Sequence, residues 1–157
     1  MVNGTNENLI KEYLDIAENA SEDYDRFIKL LDDDCVWNMM PPGISIIGID
    51  SVKKIVKFAM KSRTHNDDVK VKIKNWFSNG EKLCVEYFHA AFVTIFKIKV
   101  VENVCFVFEI KNGKFIKLDE YIDTSGSKLI SIGLKMLLII AIIKGINIKR
   151  TCKNNET

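Results

Sequence analysis

Apolar residues in the first third of the chain recur at helical spacing. Leu9, Ile10, Tyr13, Leu14, Ile16 and Ala17 follow Thr5 and Asn6, which can cap a helix start. After Ser21 and the acidic pair Glu22-Asp23, Tyr24, Phe27, Ile28 and Leu31 fall at i, i+3, i+4 and i+7. This predicts a second short helix, ended by Asp32-Asp33-Asp34. Cys35 to Met40 reads as a strand stopped by Pro41-Pro42-Gly43, and Ile44 to Gly48 as a brief second one. Asp50 or Ser51 caps a third helix, with Val52, Ile55, Val56, Ala59 and Met60 on its apolar side.

From Val69 the period changes to two. Val69, Val71 and Ile73 alternate with Lys70, Lys72 and Lys74, the pattern of a half-buried strand. Ser78-Asn79-Gly80 is a hairpin turn, Leu83 to Phe96 the next strand and Val104 to Ile110 another. Lys111-Asn112-Gly113-Lys114 turns the chain into a last strand from Phe115 to Asp123. Helices first and a run of strands afterwards predict an α+β fold: a curved antiparallel sheet with three helices from the N-terminal half on one side.

Polar residues that intrude on apolar faces mark the candidate chemistry. On the last strand, Glu120 falls among Ile116, Leu118 and Ile122, while Phe115, Lys117, Asp119, Tyr121 and Asp123 take the other face. On the strand from Leu83, Tyr87 and His89 share a face with Leu83 and Val85. A carboxyl group on an apolar face is costly unless paired or protonated. An acid beside a histidine in a dry hollow suits general acid/base work. A purely structural His–Glu hydrogen bond, with Tyr87 simply packed, gives the same pattern. His65 lies in the polar stretch Ser62 to Asp68 and reads as a solvated loop residue; Asp32-Asp33-Asp34 reads as a hydrated helix end rather than a metal site.

Composition narrows the class. The chain has 157 residues, one ordinary domain, with 47% hydrophobic and 28% charged residues. Lys+Arg 23 against Asp+Glu 21 is too balanced for a nucleic-acid binder. Cys35, Cys84, Cys105 and Cys152 have no metal-finger spacing, and Met1 to Asn8 contain no signal peptide. Free thiols in a reducing cytoplasm are the expectation, with no metal and no cofactor.

Taken in order, four segments resemble a family: Val36-Trp37-Asn38-Met39-Met40-Pro41-Pro42-Gly43, Glu86-Tyr87-Phe88-His89, Phe108-Glu109-Ile110-Lys111-Asn112-Gly113-Lys114 and Glu120-Tyr121-Ile122-Asp123. Over residues 7–125 the chain resembles a SnoaL-like domain of the nuclear-transport-factor-2-like superfamily, with polyketide cyclases, ketosteroid isomerase, limonene epoxide hydrolase and scytalone dehydratase. The resemblance implies a cone enclosing an apolar pocket, a small hydrophobic ligand and a homodimer. It matches Glu120 to the acid on the final strand of limonene epoxide hydrolase, and sets Tyr87 and His89 where that enzyme has an Arg-x-Asp pair. Met39 and Met40 stand at the place of the ketosteroid isomerase base, Cys105 at that of its oxyanion-hole aspartate, and Tyr13 matches its helix-one tyrosine. Steroid isomerisation is therefore not implied. The candidate site is Glu120, His89 and Tyr87 for catalysis, lined by Tyr13, Trp37, Met39, Met40, Val85, Cys105, Val107, Leu118 and Ile122.

The end of the chain departs from the family. Residues 1–126 make the SnoaL-like domain; residues 127–157 read as an apolar helix and a basic polar tail. From Lys128 onward six Lys/Arg face one acid, whereas the body before it carries 17 basic and 20 acidic residues. Lys135 and Lys144 are nine residues apart, roughly 900° around a helix, so no polar face is clean. The eight residues between them span roughly 12 Å, too short for a bilayer. A helix packed over the pocket mouth or a partner subunit is expected, with peripheral membrane contact through residues 128–153 as the alternative. Two functions stay open: acid/base catalysis on a small apolar substrate (isomerisation, cyclisation, dehydration or hydrolysis), and a non-catalytic ligand- or lipid-binding module.

Overall fold

The computed structural model describes residues 4–19, 24–61, 70–93, 98–125 and 128–150, with some side chains inside these stretches left out, His89 among them. Helix α1 (Gly4–Asn19) buries Leu9, Ile10 and Tyr13, neighbours one turn apart on one face. Its Asn6 lies inside the first turn rather than capping it. The Asn6 amide donates to the Gly80 carbonyl at 2.7 Å, and its oxygen accepts the Gly113 N–H at 3.2 Å, tying the helix to two hairpin turns.

Helix α2 (Tyr24–Lys29) is held to α1 by Arg26, which reaches Glu12 at 2.7 Å and Asp15 at 2.8 Å. It ends earlier than the periodicity suggests. Leu31 and Asp32-Asp33-Asp34 already belong to strand β1 (Leu31–Met40). Leu31 is buried there and pairs with Phe115, so packing against the sheet overrides the helical spacing.

Pro41-Pro42-Gly43, with cis bonds before both prolines, leads into β2 (Ile44–Ile47). Helix α3 (Ile49–Lys61) then buries Val52 and Ile55 against the sheet. Strands β3 (Lys70–Ser78), β4 (Lys82–Val93), β5 (Ile98–Lys111) and β6 (Lys114–Ile122) follow. At the β5–β6 turn Asn112 and Gly113 have φ of +52° and +72°, the left-handed pair that a two-residue hairpin needs.

Among the described residues the strands form one sheet in the order β3-β4-β5-β6-β1-β2-β7. It is curved and unclosed, and it is mixed rather than wholly antiparallel: β1 runs parallel to β6. The core lies between its inner face and α1–α3, where Phe108, Phe115, Leu83, Leu118, Cys35 and Ile46 are fully or almost fully buried.

The chain continues as helix α4 (Lys128–Ile143) and a three-residue strand β7 (Ile148–Arg150) that the sequence pattern does not predict. β7 pairs antiparallel with β2, Ile46 opposite Ile148. Ile146 is buried, Ala141 is fully so, and the Asn147 N–H donates to Ser51 Oγ at 3.2 Å. The Lys144 ammonium sits 5.5 Å over the Phe58 ring of α3. The end of α4 is thereby fastened to the same core.

Candidate functional site

Strand register decides which side chains meet. Val85 pairs with Phe106, Tyr87 with Val104, Phe106 with Glu120, Phe108 with Leu118 and Val104 with Ile122, all on the inner face. On the other side of β6, Met39 pairs with Glu120 and Trp37 with Leu118. Glu120 therefore lies between Phe106 and Met39, and only 8% of it is exposed. Its Oε2 accepts the Trp37 Nε1–H at 3.0 Å.

An aromatic wall surrounds this carboxyl group. Trp37 and Phe106 have centroids 6.2 Å apart, Phe106 stacks on Phe108 at 5.5 Å, and Tyr87 meets Phe106 edge-on at 5.9 Å. From α1, Tyr13 packs against Phe108 at 4.5 Å and Phe115 at 5.5 Å. The hydroxyls of Tyr13 and Tyr87 are hydrogen-bonded to each other in the buried interior. Burial pushes Tyr13 well above the ordinary tyrosine range, reinforced by Tyr87 and then by the Glu120 charge. Burial also raises Tyr87, while its bond to Tyr13 pulls the other way. Either hydroxyl can be the donor in this pair.

Tyr13, Trp37, Met39, Val85, Tyr87, Leu118, Glu120 and Ile122 are thus brought to one side of the sheet. Backbone pairing sets His89 opposite Glu102; its side chain lies outside the described residues, as do His65 and Cys152. Three expected lining residues are corrected. Cys105 pairs with Glu86 and Tyr121, Val107 with Cys84 and Asp119, and Met40 with Tyr121, all on the outer face. Val104 to Phe108 is apolar at every position, so alternation gave no parity there. For the same reason no alternation placed Phe106, which turns inward opposite Val85 and Glu120.

A second correction concerns the start of β6. There Ile110 pairs with Phe115 and Glu109 with Lys117, so Ile116 is the extra residue of a bulge. The bulge resets the alternation and buries Phe115 instead of Ile116. Sequence reasoning also missed Phe108 and the indole donor to Glu120. Trp37 was visible as an aromatic, but its partner follows only from the β1–β6 pairing.

The outer face holds a depression of about 320 Å³ bordered by Phe77, Cys84, Glu86, Asn103, Cys105 and Tyr121. Cys84 and Cys105 Sγ are 3.6 Å apart there, both reduced. Burial and the neighbouring Cys84 push the Cys105 thiol up to about 11, which keeps it protonated and unreactive.

A profile of the SnoaL-like domain matches residues 10–118, more than half the chain. The chain belongs to the SnoaL-like domain family. Solved structures share its fold. An LEH-like epoxide hydrolase from M. tuberculosis is 21% identical with a TM-score of 0.61, covering 90% of this chain and 97% of that one. A putative SnoaL-like polyketide cyclase from Jannaschia sp. CCS1 is 13% identical at TM-score 0.60, covering 78% and 88%. A nuclear-transport-factor-2-like protein of unknown function from Burkholderia pseudomallei K96243 is 15% identical at TM-score 0.62, covering 78% and 93%. No protein of curated function matches the chain. In this SnoaL-like chain, no described helix is long and apolar enough to cross a membrane. Nor do three His, Cys, Asp or Glu side chains gather as metal ligands among the described residues.

Proposed function

We infer that this SnoaL-like chain binds a small hydrophobic molecule against its inner sheet face and transfers a proton on it with Glu120. The observation that carries this reading is a carboxyl group, 8% exposed, set in an aromatic wall and oriented by an indole N–H. Putting an acid there costs stability, a cost that chemistry explains better than packing does. Glu120 is the general base or acid. One O–H of the Tyr13–Tyr87 pair is used within the pair, and the other remains to stabilise a developing oxyanion. His89, two residues beyond Tyr87 on β4, belongs to the same proposal as a second acid/base group on that strand.

The fold shared with an epoxide hydrolase and a polyketide cyclase supports an apolar, oxygenated substrate. Small apolar epoxides and enones are the compounds to assay first. Glu120→Gln should lower kcat by about 10²–10⁴-fold while leaving ligand affinity nearly intact. Turnover unchanged in that variant would reject the assignment. Saturable binding of the same compounds without turnover by the native chain would favour a carrier instead. The chain is also inferred to form a homodimer through the outer sheet face, where Phe77 and Tyr121 stand exposed.

A further inference from the structure

We propose that α4 is the docking face for an anionic lipid surface. Ile132, Ile139, Ile142 and Ile143 are 50%, 56%, 62% and 78% exposed. At the helical rotation per residue, Ile132, Ile139 and Ile143 fall in a strip about 40° wide that runs roughly 16 Å along the helix. Ala141, on the opposite side, is fully buried, so the helix already uses its inward face and leaves the isoleucine strip outward. Lone exposed apolar residues are ordinary; an aligned strip of them marks a contact surface.

The charges around the strip identify the occupant. Lys135 is exposed on the helix beside the strip, Lys144 is exposed just past its end over the Phe58 ring, and Lys149 and Arg150 are exposed on β7. No acidic residue occurs from Lys128 to Arg150. A second copy of the chain packed on this face would bring these cations against their own equivalents. Anionic headgroups satisfy the cations while the acyl boundary takes the isoleucines. Sixteen residues of helix span about 24 Å, short of the hydrocarbon core, so the geometry is that of a helix lying in the interface.

Flotation of the full chain with phosphatidylcholine vesicles, with and without about one-third phosphatidylglycerol, tests this. Binding to the anionic vesicles, weakened by salt, is expected. Ile139→Glu combined with Ile143→Glu should lower partitioning about tenfold or more, with thermal melting unchanged. Should that variant not fold, Lys149→Glu with Arg150→Glu supplies a second arm, which should abolish the preference for anionic vesicles. Failure to float with either vesicle overturns the proposal, as does equal flotation on neutral and anionic lipid. So does equal binding by native chain and isoleucine variant, or a native dimer that the isoleucine variant splits.

Discussion

Tyr13 and Tyr87 share one hydrogen bond inside an aromatic wall, and both hydroxyls are held protonated by burial. Their folded values lie above the unfolded value near 10, so their contribution to stability is complete below about pH 10 and lost as pH rises beyond it. Cys35 acts in the same direction, its buried thiol pushed from 9.0 to about 11. Denaturation midpoints should therefore fall steeply from about pH 9 upward. Replacing both tyrosines by phenylalanine should flatten that slope above pH 10. Tyr13→Phe alone leaves the Tyr87 hydroxyl without its buried partner and should cost about 1–2 kcal/mol at neutral pH. Urea melts between pH 7 and pH 11 check all three. An unchanged slope in the double variant would place the alkaline sensitivity elsewhere. Of this group, Glu120 and Tyr87 were legible in the sequence because a polar residue breaks a period of two. Cys105 and Val107 were misplaced because Val104 to Phe108 has no period at all. The link from Trp37 to Glu120 joins residues 83 positions apart and depends on a parallel pairing that local pattern does not encode.

At the level of elements, segments with a period or a clear stop signal were readable, the short α2 and β2 included, and β7 was not. Strands β3, β4 and β6 follow from alternation and two Asn-Gly turns, while β5, apolar without alternation at its centre, begins at Ile98, six residues before the expected Val104. Strand β7 has three residues, two of them charged, which is how an exposed edge strand is kept from pairing further. Its sequence therefore looks like a tail. The structure instead makes Ile146 the anchor of the segment, 5% exposed beside Ala141. Ile146→Ala should cost about 2–3 kcal/mol, far more than a residue in a loose extension would. Ser51→Ala, which removes the acceptor for the Asn147 N–H, should cost about 1 kcal/mol. Thermal or urea unfolding of the two variants separates an anchored extension from a frayed one. A change within about 0.5 kcal/mol for Ile146→Ala would mean that β7 adds nothing to the fold.

For the whole molecule, one curved sheet has two faces with different tasks. Its inner face is covered by α1–α3 and carries Glu120. Its outer face is left with Phe77 70% and Tyr121 45% exposed beside the depression of about 320 Å³. An antiparallel sheet tolerates one wet face, but wet faces are usually polar, and large aromatics there are better covered. A homodimer through this face would hide about 800 Å² per chain, the size of a standard interface. Sedimentation equilibrium should then give twice the chain mass at micromolar concentration. Phe77→Glu with Tyr121→Glu puts four like charges into that contact and should return one chain mass with the fold intact. The α4 variant with Ile139→Glu and Ile143→Glu should remain at two, because its strip belongs to a different surface. A native chain that sediments at one chain mass would leave the outer aromatics without this explanation, and the inner face would have to be complete within a single copy.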